Sequence, residues 1–254
     1  MQPPLYVIGD IHGQYDKLIT LLFNANLITD DLSWNGEDAQ LWFMGDFFDR
    51  GPNGIGVVEL VMRLQTQAAA AGGEVHALLG NHEIMFLAAH YFNEAGGFAA
   101  AWKRNGGRDS DRERVNPRQI DWLRSLPAMA LVDNYLLVHA DALFYREYGD
   151  TVAQVNQRIA AILHSGDIPS WARLLDHFAE RMSFIPARRN GVNRAVNFLR
   201  HFGGLQIVHG HTPIQYLTDT IDPLDALAYS VDLCLNVDGG MYLGGTGFVH
   251  RLLP

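Results

Sequence analysis

Apolar and polar positions follow a repeating order in the first third of the chain. Apolar runs of strand character at 5–8, 41–44 and 75–79 each lead into a polar, glycine-containing motif and then into a segment of helical spacing. Leu18, Leu21 and Leu22 predict a helix over 15–24. Val58, Val61, Met62 and Leu64 predict another over 55–71, stopped by Gly72-Gly73. A third helix is expected over 84–91, just after the third motif. Strand and helix alternating in this way predict an α/β fold.

The middle of the chain breaks the rhythm. Positions 92–127 are polar and irregular, with Asn105-Gly106-Gly107 and a charged run at 108–114 that reads as a solvated face. With the preceding helix, about 84–127 reads as a partly helical excursion over the site, ending in a helix at 120–126. A strand pair follows at 128–132 and 135–138, turning at Asp133-Asn134. Helices are expected at 151–164, 171–181 and 192–202, a strand at 205–208, and two last strands at 234–237 and 248–252 around a glycine-rich turn. No linker, repeat or low-complexity tract interrupts 1–254, so a single domain is expected.

The motifs after the strands carry the chemistry. They read Gly9-Asp10-Ile11-His12-Gly13, Gly45-Asp46-Phe47-Phe48-Asp49-Arg50-Gly51 and Gly80-Asn81-His82-Glu83. Carboxyl ends of strands are where open α/β sheets build sites. In an extended Asp-x-His, Asp10 and His12 project to one side and can hold one ion. Asp46 is the natural bridging carboxylate, and Asn81 can offer its amide oxygen to a second ion. His139 and His211 follow two later strands and complete the set. A single Asp or His at a strand end is usually a turn residue. Five strand ends delivering metal-type donors are not explained that way. His211 is preferred over His209 because Gly210 and Thr212-Pro213 suggest an exposed turn around it, with His209 packed behind. The remaining histidines, among them His76, His90 and His250, read as surface or satisfied core residues.

Three further motif residues suit phosphoryl chemistry. Arg50 offers a planar fork of donors to phosphate oxygens. His82 could protonate a leaving oxygen, with Asp49 holding its ring. Paired divalent ions are a standard device for displacement at phosphorus.

Bulk properties narrow the partners. The 254 residues are 48% hydrophobic and carry a formal net charge of −9, which argues against nucleic acid or an anionic membrane surface as a partner. The single Cys234, flanked by Leu233 and Leu235, fits a buried thiol in a reducing compartment. With the first motif starting at Gly9, no signal peptide is expected, and the expected location is cytoplasmic.

The motif series resembles the phosphoprotein phosphatase family of calcineurin-like metallophosphoesterases. GDxHG, GDxxDRG, GNHE, a later His-Ala and a final Gly-His are matched in order by Asp10, His12, Asp46, Asp49, Arg50, Asn81, His82, His139 and His211. Trp102 to Gly107, Val138-His139-Ala140-Asp141 and Gly210-His211-Thr212-Pro213 are similar to the prokaryotic branch that includes bacteriophage lambda phosphatase. Gly72 to Glu83 and Val237-Asp238-Gly239-Gly240-Met241 are similar to its Shewanella-like members. The resemblance implies an α/β/β/α sandwich with two central mixed sheets. It also implies two divalent ions, most often Mn²⁺ (Fe or Zn being alternatives), and direct attack by a bridging water or hydroxide. A second phosphate-binding arginine is implied between the two late histidines; Arg181 is the best match and Arg188 the competitor.

The substrates implied are phosphorylated proteins or peptides, on Ser, Thr or Tyr, together with small phosphomonoesters. Symmetrical bis(5'-nucleosyl)-tetraphosphatases share every metal motif, so nucleotides form the alternative substrate class. The acidic balance and Thr212-Pro213 lean toward the monoester reading. A catalytically inactive binding module would show gaps in the donor set, and none is present.

Overall fold

The computed structural model describes residues 2–187 and 190–253. The first half runs β1 (Leu5–Ile8), α1 (Tyr15–Asn24), β2 (Gln40–Phe43), α2 (Gly54–Ala71), β3 (Glu74–Ala77) and α3 (Asn81–Phe92). Three short helices follow: α4 (Phe98–Arg104), α5 (Asp109–Arg114) and α6 (Pro117–Ser125). The second half continues β4 (Met129–Val132), β5 (Tyr135–Val138), α7 (Val152–Leu163), α8 (Ile168–Phe178) and α9 (Gly191–Phe202). It ends with β6 (Gln206–His209), β7 (Leu227–Tyr229), β8 (Cys234–Asn236) and β9 (His250–Leu252).

These strands form two mixed sheets. One has the order β3-β2-β1-β9, parallel except for β9; the other has the order β4-β5-β6-β8-β7, with β4 and β7 antiparallel to their neighbours. Side-chain alternation explains why they stack. Leu5, Val7, Trp42 and Met44 from the first sheet meet Leu137, Val208 and Leu235 from the second in one apolar cluster. The alternate residues Ile8, Leu41, Phe43, Leu136, Val138 and Ile207 face outward into the helical layers. Apolar side chains on both faces of a strand require cover on both faces, here a sheet on one side and helices on the other. The result is the expected α/β/β/α sandwich.

Several helices are amphipathic, and the starts of α2, α6, α7 and α8 are capped by side chains. Val155, Ile159 and Leu163 line the buried stripe of α7, as Trp171, Leu174 and Phe178 do for α8. Side chains of Asn53, Asn116, Thr151 and Asp167 each accept a backbone N–H in the first turn of the helix that follows. Among the described residues no helix is long and apolar enough to cross a membrane.

Several boundaries differ from expectation. β3 stops at Ala77, and Leu78 and Leu79 leave the ladder toward the site. α3 begins at Asn81 itself, so Asn81 and His82 occupy a first helical turn rather than a strand end. Helix α8 ends at Phe178 and not at 181. The two tail strands lie in different sheets, so the glycine-rich segment between them is a crossover rather than a hairpin. β7, three residues long, was too short to signal a strand; it exists because β8 offers it an antiparallel edge.

Leu137 is fully buried in the cluster between the sheets. Leu137→Ala should cost about 2–5 kcal/mol by lost burial and cavity formation. Urea unfolding monitored by tryptophan fluorescence measures this; a loss under about 1 kcal/mol would mean that the two inner faces do not interlock.

Candidate active site

The loops after β1, β2 and β6 and the first turn of α3 converge with the end of β5. Asp10, His12, Asp46, Asp49, His82, His139 and His211 are all buried, as is Asn81. The backbone there is unusual for non-glycine residues: φ is 47° at His12, 54° at Asp46, 68° at Asp49, 65° at Arg50 and 67° at His211. Such conformations persist only where surrounding structure holds them. Phe47 and Phe48 supply part of that hold by burying their rings, with Phe48 stacked on Phe86 at 4.3 Å. Asp10 and His12 therefore converge through a left-handed turn, not through the extended spacing expected; His12 Nε2 lies 3.8 Å from Asp10 Oδ2 and 3.6 Å from Asp46 Oδ2.

Glu83 binds this loop from below. Its carboxylate accepts the N–H groups of Asp46 at 2.7 Å, Phe47 at 2.8 Å and Gly80 at 2.9 Å. Asp46 Oδ1 in turn accepts the His82 N–H at 2.9 Å. Close approach also needs Gly210, where a Cβ would fall 2.2 Å from Asp10 Oδ1, while the next N–H, of His211, donates to that same oxygen at 3.0 Å.

The imidazoles are oriented by backbone. His12 Nδ1 meets Phe48 O at 3.0 Å and His139 Nδ1 meets Met44 O at 2.8 Å, so in each ring Nδ1–H donates and Nε2 keeps its lone pair. His139 Nε2 then faces Asn81 Oδ1 at 3.0 Å and Asp46 Oδ1 at 3.4 Å, and His211 Nδ1 lies 3.0 Å from Asn81 Oδ1. Burial lowers the pKa of His139, and burial followed by the neighbouring His139 lowers that of His211. The lone pair of His139 Nε2 thus faces two oxygen acceptors with no proton between them. A cation is the partner that satisfies all of them.

Two donor groups are geometrically suited to ions. Donor atoms of His12, Asp46 and His82 lie within 4.8 Å of one another, and so do those of Asp46, His139 and His211. Asp46 is common to both. His82 Nδ1 is already taken by Asp49 Oδ2 at 2.6 Å, which leaves Nε2 as its working nitrogen. Arg50 Nη1 donates to the lone pair of His12 Nε2 at 2.7 Å, and its guanidinium lies 4.0 Å from the centre of the Tyr242 ring.

The family model of calcineurin-like phosphoesterases matches residues 3–236. The chain belongs to this family. Among curated relatives, the symmetrical bis(5'-nucleosyl)-tetraphosphatase of Hamiltonella defensa is 27% identical over 82% of this chain and 72% of its own length. That of Erwinia tasmaniensis is 31% identical over 65% of this chain and 53% of its own. The chain thus spans about half the length of several such relatives. Among solved structures, a cold-active protein-tyrosine phosphatase from a psychrophilic Shewanella superposes with a TM-score of 0.75 at 25% identity, covering 98% of this chain and 75% of that one. A protein described as a putative diadenosine tetraphosphatase shares the fold at a TM-score of 0.55 and 17% identity, over 98% of this chain and 93% of its own.

In this metallophosphoesterase the motif residues Asp10 to His211 lie together in one buried cluster. Arg181 lies in coil beyond α8, half-buried, and its charge contributes to lowering His139 and His211. Arg188 lies outside the described residues. The turn around His211 is buried rather than exposed, because Thr212 packs inward and its carbonyl accepts Asn236 Nδ2 at 2.7 Å. His209 is packed, as expected, against Tyr229, whose hydroxyl lies 2.7 Å from Nε2. Cys234 is a free, buried thiol that burial pushes above its usual range.

Glu83, Trp102, Asp238 and Tyr242 belong to the surroundings and were given no role from the sequence. Glu83, three residues after Gly80, had a capping signal. Asp238 is one more carboxylate just past a strand. It is fully buried with Oδ2 unpartnered, and its backbone packs against Gly9. Trp102 stood in a segment that carried the family resemblance, and Tyr242 had no local signal.

These buried acids set a pH dependence for the metal-free protein. Burial, then Asp46, pushes Glu83 up to about 8 against its three N–H donors; burial first, then Asp46, pushes Asp238 up to about 7. By about pH 7.5, a unit above their ordinary pKa, histidines with lowered pKa are nearly all neutral in both folded and unfolded states. From there the folded protein holds more protons than the unfolded chain, so stability falls as pH rises through 8. The melting temperature of chelator-treated protein should therefore drop between about pH 7.5 and 8.5, and added Mn²⁺ should flatten the slope. A rising melting temperature without metal would contradict this account.

Proposed function

We propose that this chain is a divalent-metal-dependent phosphomonoesterase acting on phosphorylated proteins or peptides and on small phosphomonoesters. The observation that carries the reading is the buried cluster in which the His139 Nε2 lone pair faces the Asn81 and Asp46 oxygens beside His211, with Asp46 shared by two donor groups. Asp10, His12 and Asp46 would hold one ion; Asp46, Asn81, His139 and His211 would hold the second. Mn²⁺ is the favoured metal, and Fe or Zn suits the same donors. When bound, such a pair supplies Lewis acidity and an activated water.

The protein groups divide the remaining work. Arg50 and Arg181 would bind the phosphoryl oxygens, Arg50 with its guanidinium braced on Tyr242. His82 would give its Nε2 proton to the leaving oxygen as the ester P–O bond breaks. Asp49, bonded to Nδ1 at 2.6 Å, keeps the ring aligned and stabilises its charged form. Asp46 lies under four imidazoles, which draw its carboxyl below the usual range despite burial. It therefore stays an anion between two cations.

The monoester reading is supported by the Shewanella phosphatase superposition, which covers 98% of this chain. Two arginines also suit one phosphoryl group better than a four-phosphate chain. The names of the curated relatives favour a second reading, symmetrical cleavage of dinucleoside tetraphosphates. The buried free thiol of Cys234 supports a reducing, cytoplasmic setting.

Phosphate release from a phosphopeptide, run beside cleavage of a dinucleoside tetraphosphate with Mn²⁺-loaded protein, decides between the two. The peptide should be the better substrate by kcat/KM; preferential cleavage of the tetraphosphate to nucleoside diphosphates would replace the first reading with the second. His82→Asn should bind both ions and lose about two to four orders of magnitude in kcat. Asp46→Asn should instead lower bound metal, measured by elemental analysis, and full occupancy would remove it as the bridge.

A further inference from the structure

The segment 102–107 contributes no metal-type donor, yet it reaches the site twice. Trp102, on α4, is fully buried and its Nε1–H donates to Asp49 Oδ1 at 2.6 Å. The other oxygen of Asp49 takes His82 Nδ1 at 2.6 Å. Four residues after the indole, Gly106 O accepts the Arg50 N–H at 2.9 Å. Asp49 and Arg50 are the neighbouring pair with left-handed backbone, a state that must be held from outside. The contact is close enough to require glycine. A Cβ at Gly106, where φ is +97°, would lie 2.8 Å from Arg50 Cγ, and one at Gly107 would lie 2.3 Å from the Trp102 ring. Phe86 meets the indole edge to face at 5.9 Å.

We propose that Trp102 is a positioning residue for the His82 acid, and that the 102–107 loop is one clamp that sets Asp49–His82 and Arg50 relative to each other. A carboxylate held at one oxygen can turn about its last bond. Held at both oxygens, in a site without exposure, it cannot, and the imidazole it binds takes a fixed direction. That direction matters in proportion to how much proton the leaving oxygen needs as the P–O bond breaks. A nitrophenolate departs as an anion with little help; the alkoxide of a serine or of another alcohol needs the proton. Trp102 thus determines how well the site handles basic leaving groups, which selects for alkyl phosphomonoesters. The inference rests on the reading of His82 as the acid.

The test is a leaving-group series with Mn²⁺-loaded wild type, Trp102→Phe and His82→Asn, from 4-nitrophenyl phosphate through phenyl phosphate to a phosphoserine peptide. For His82→Asn the loss in kcat should grow with leaving-group basicity. Trp102→Phe should follow the same trend, with about a ten- to hundredfold loss on the phosphoserine peptide, the scale of one hydrogen bond to a charged group, and a much smaller loss on the nitrophenyl ester. A graded loss in His82→Asn together with a uniform loss in Trp102→Phe assigns the indole a merely structural role and overturns the proposal. A uniform loss in His82→Asn overturns the acid assignment itself. Should Trp102→Phe fail to fold, 3-benzothienylalanine at position 102 keeps the bicyclic shape and replaces only the N–H by sulfur. A wild-type leaving-group slope in that protein also overturns the proposal.

Discussion

One constraint organises this molecule: a buried imidazole lone pair is held against oxygen acceptors with no proton between them. His139 Nε2, its Nδ1–H spent on Met44 O, faces Asn81 Oδ1 at 3.0 Å and Asp46 Oδ1 at 3.4 Å, with His211 Nδ1 at 3.0 Å from the same Asn81 oxygen. Acceptors repel one another in a low-dielectric interior unless a cation joins them. The fold has to hold that arrangement against its own electrostatics. Glu83 does so through three backbone N–H groups, Met44 and Phe48 through carbonyls that fix the imidazoles, and the core through Phe47 and Phe48.

The sandwich gives the arrangement its direction. Asp10, His12, Asp46 and Asn81 come from the first sheet and its loops, whereas His139 and His211 come from the second. An apolar cluster joins the two sheets over their inner faces. Contacts such as His139 Nδ1 to Met44 O and His211 N–H to Asp10 Oδ1 are therefore also sheet-to-sheet contacts. Ion binding and sheet packing share the same geometry, so neither can change independently of the other.

Phosphoester chemistry at this site separates into a part common to the family and a part particular to the surroundings. The donor groups and Arg50 suit any phosphoryl oxygen. On the proposed reading, leaving-group demands fall on His82 and on what aligns it, and the contact that would align it comes from an excursion outside the sandwich. The same excursion carries Trp102 and Gly106, so the segment between α3 and β4 is where substrate scope connects to the fold.

Much of this was legible in the chain. Period-two and helical apolar patterns located most elements, and each donor but His139 stood beside a glycine just past an apolar run. Local chemistry suffices there, because a strand end and a tight turn are encoded by neighbours in sequence. Legibility ended where partners are distant. The segments around Trp102 and Asp238 carried a family resemblance but no role, since their relevant neighbours, Asp49 and Gly9, lie far off along the chain. β7 is a strand only because β8 pairs with it, and the buried turn at Thr212 depends on Asn236. Residue type and spacing by themselves determined which groups could serve as ligands, acid and phosphate contact. Tertiary packing alone decided which lone pairs face one another, because ring orientation and protonation are fixed by carbonyls and carboxylates that only folding brings near.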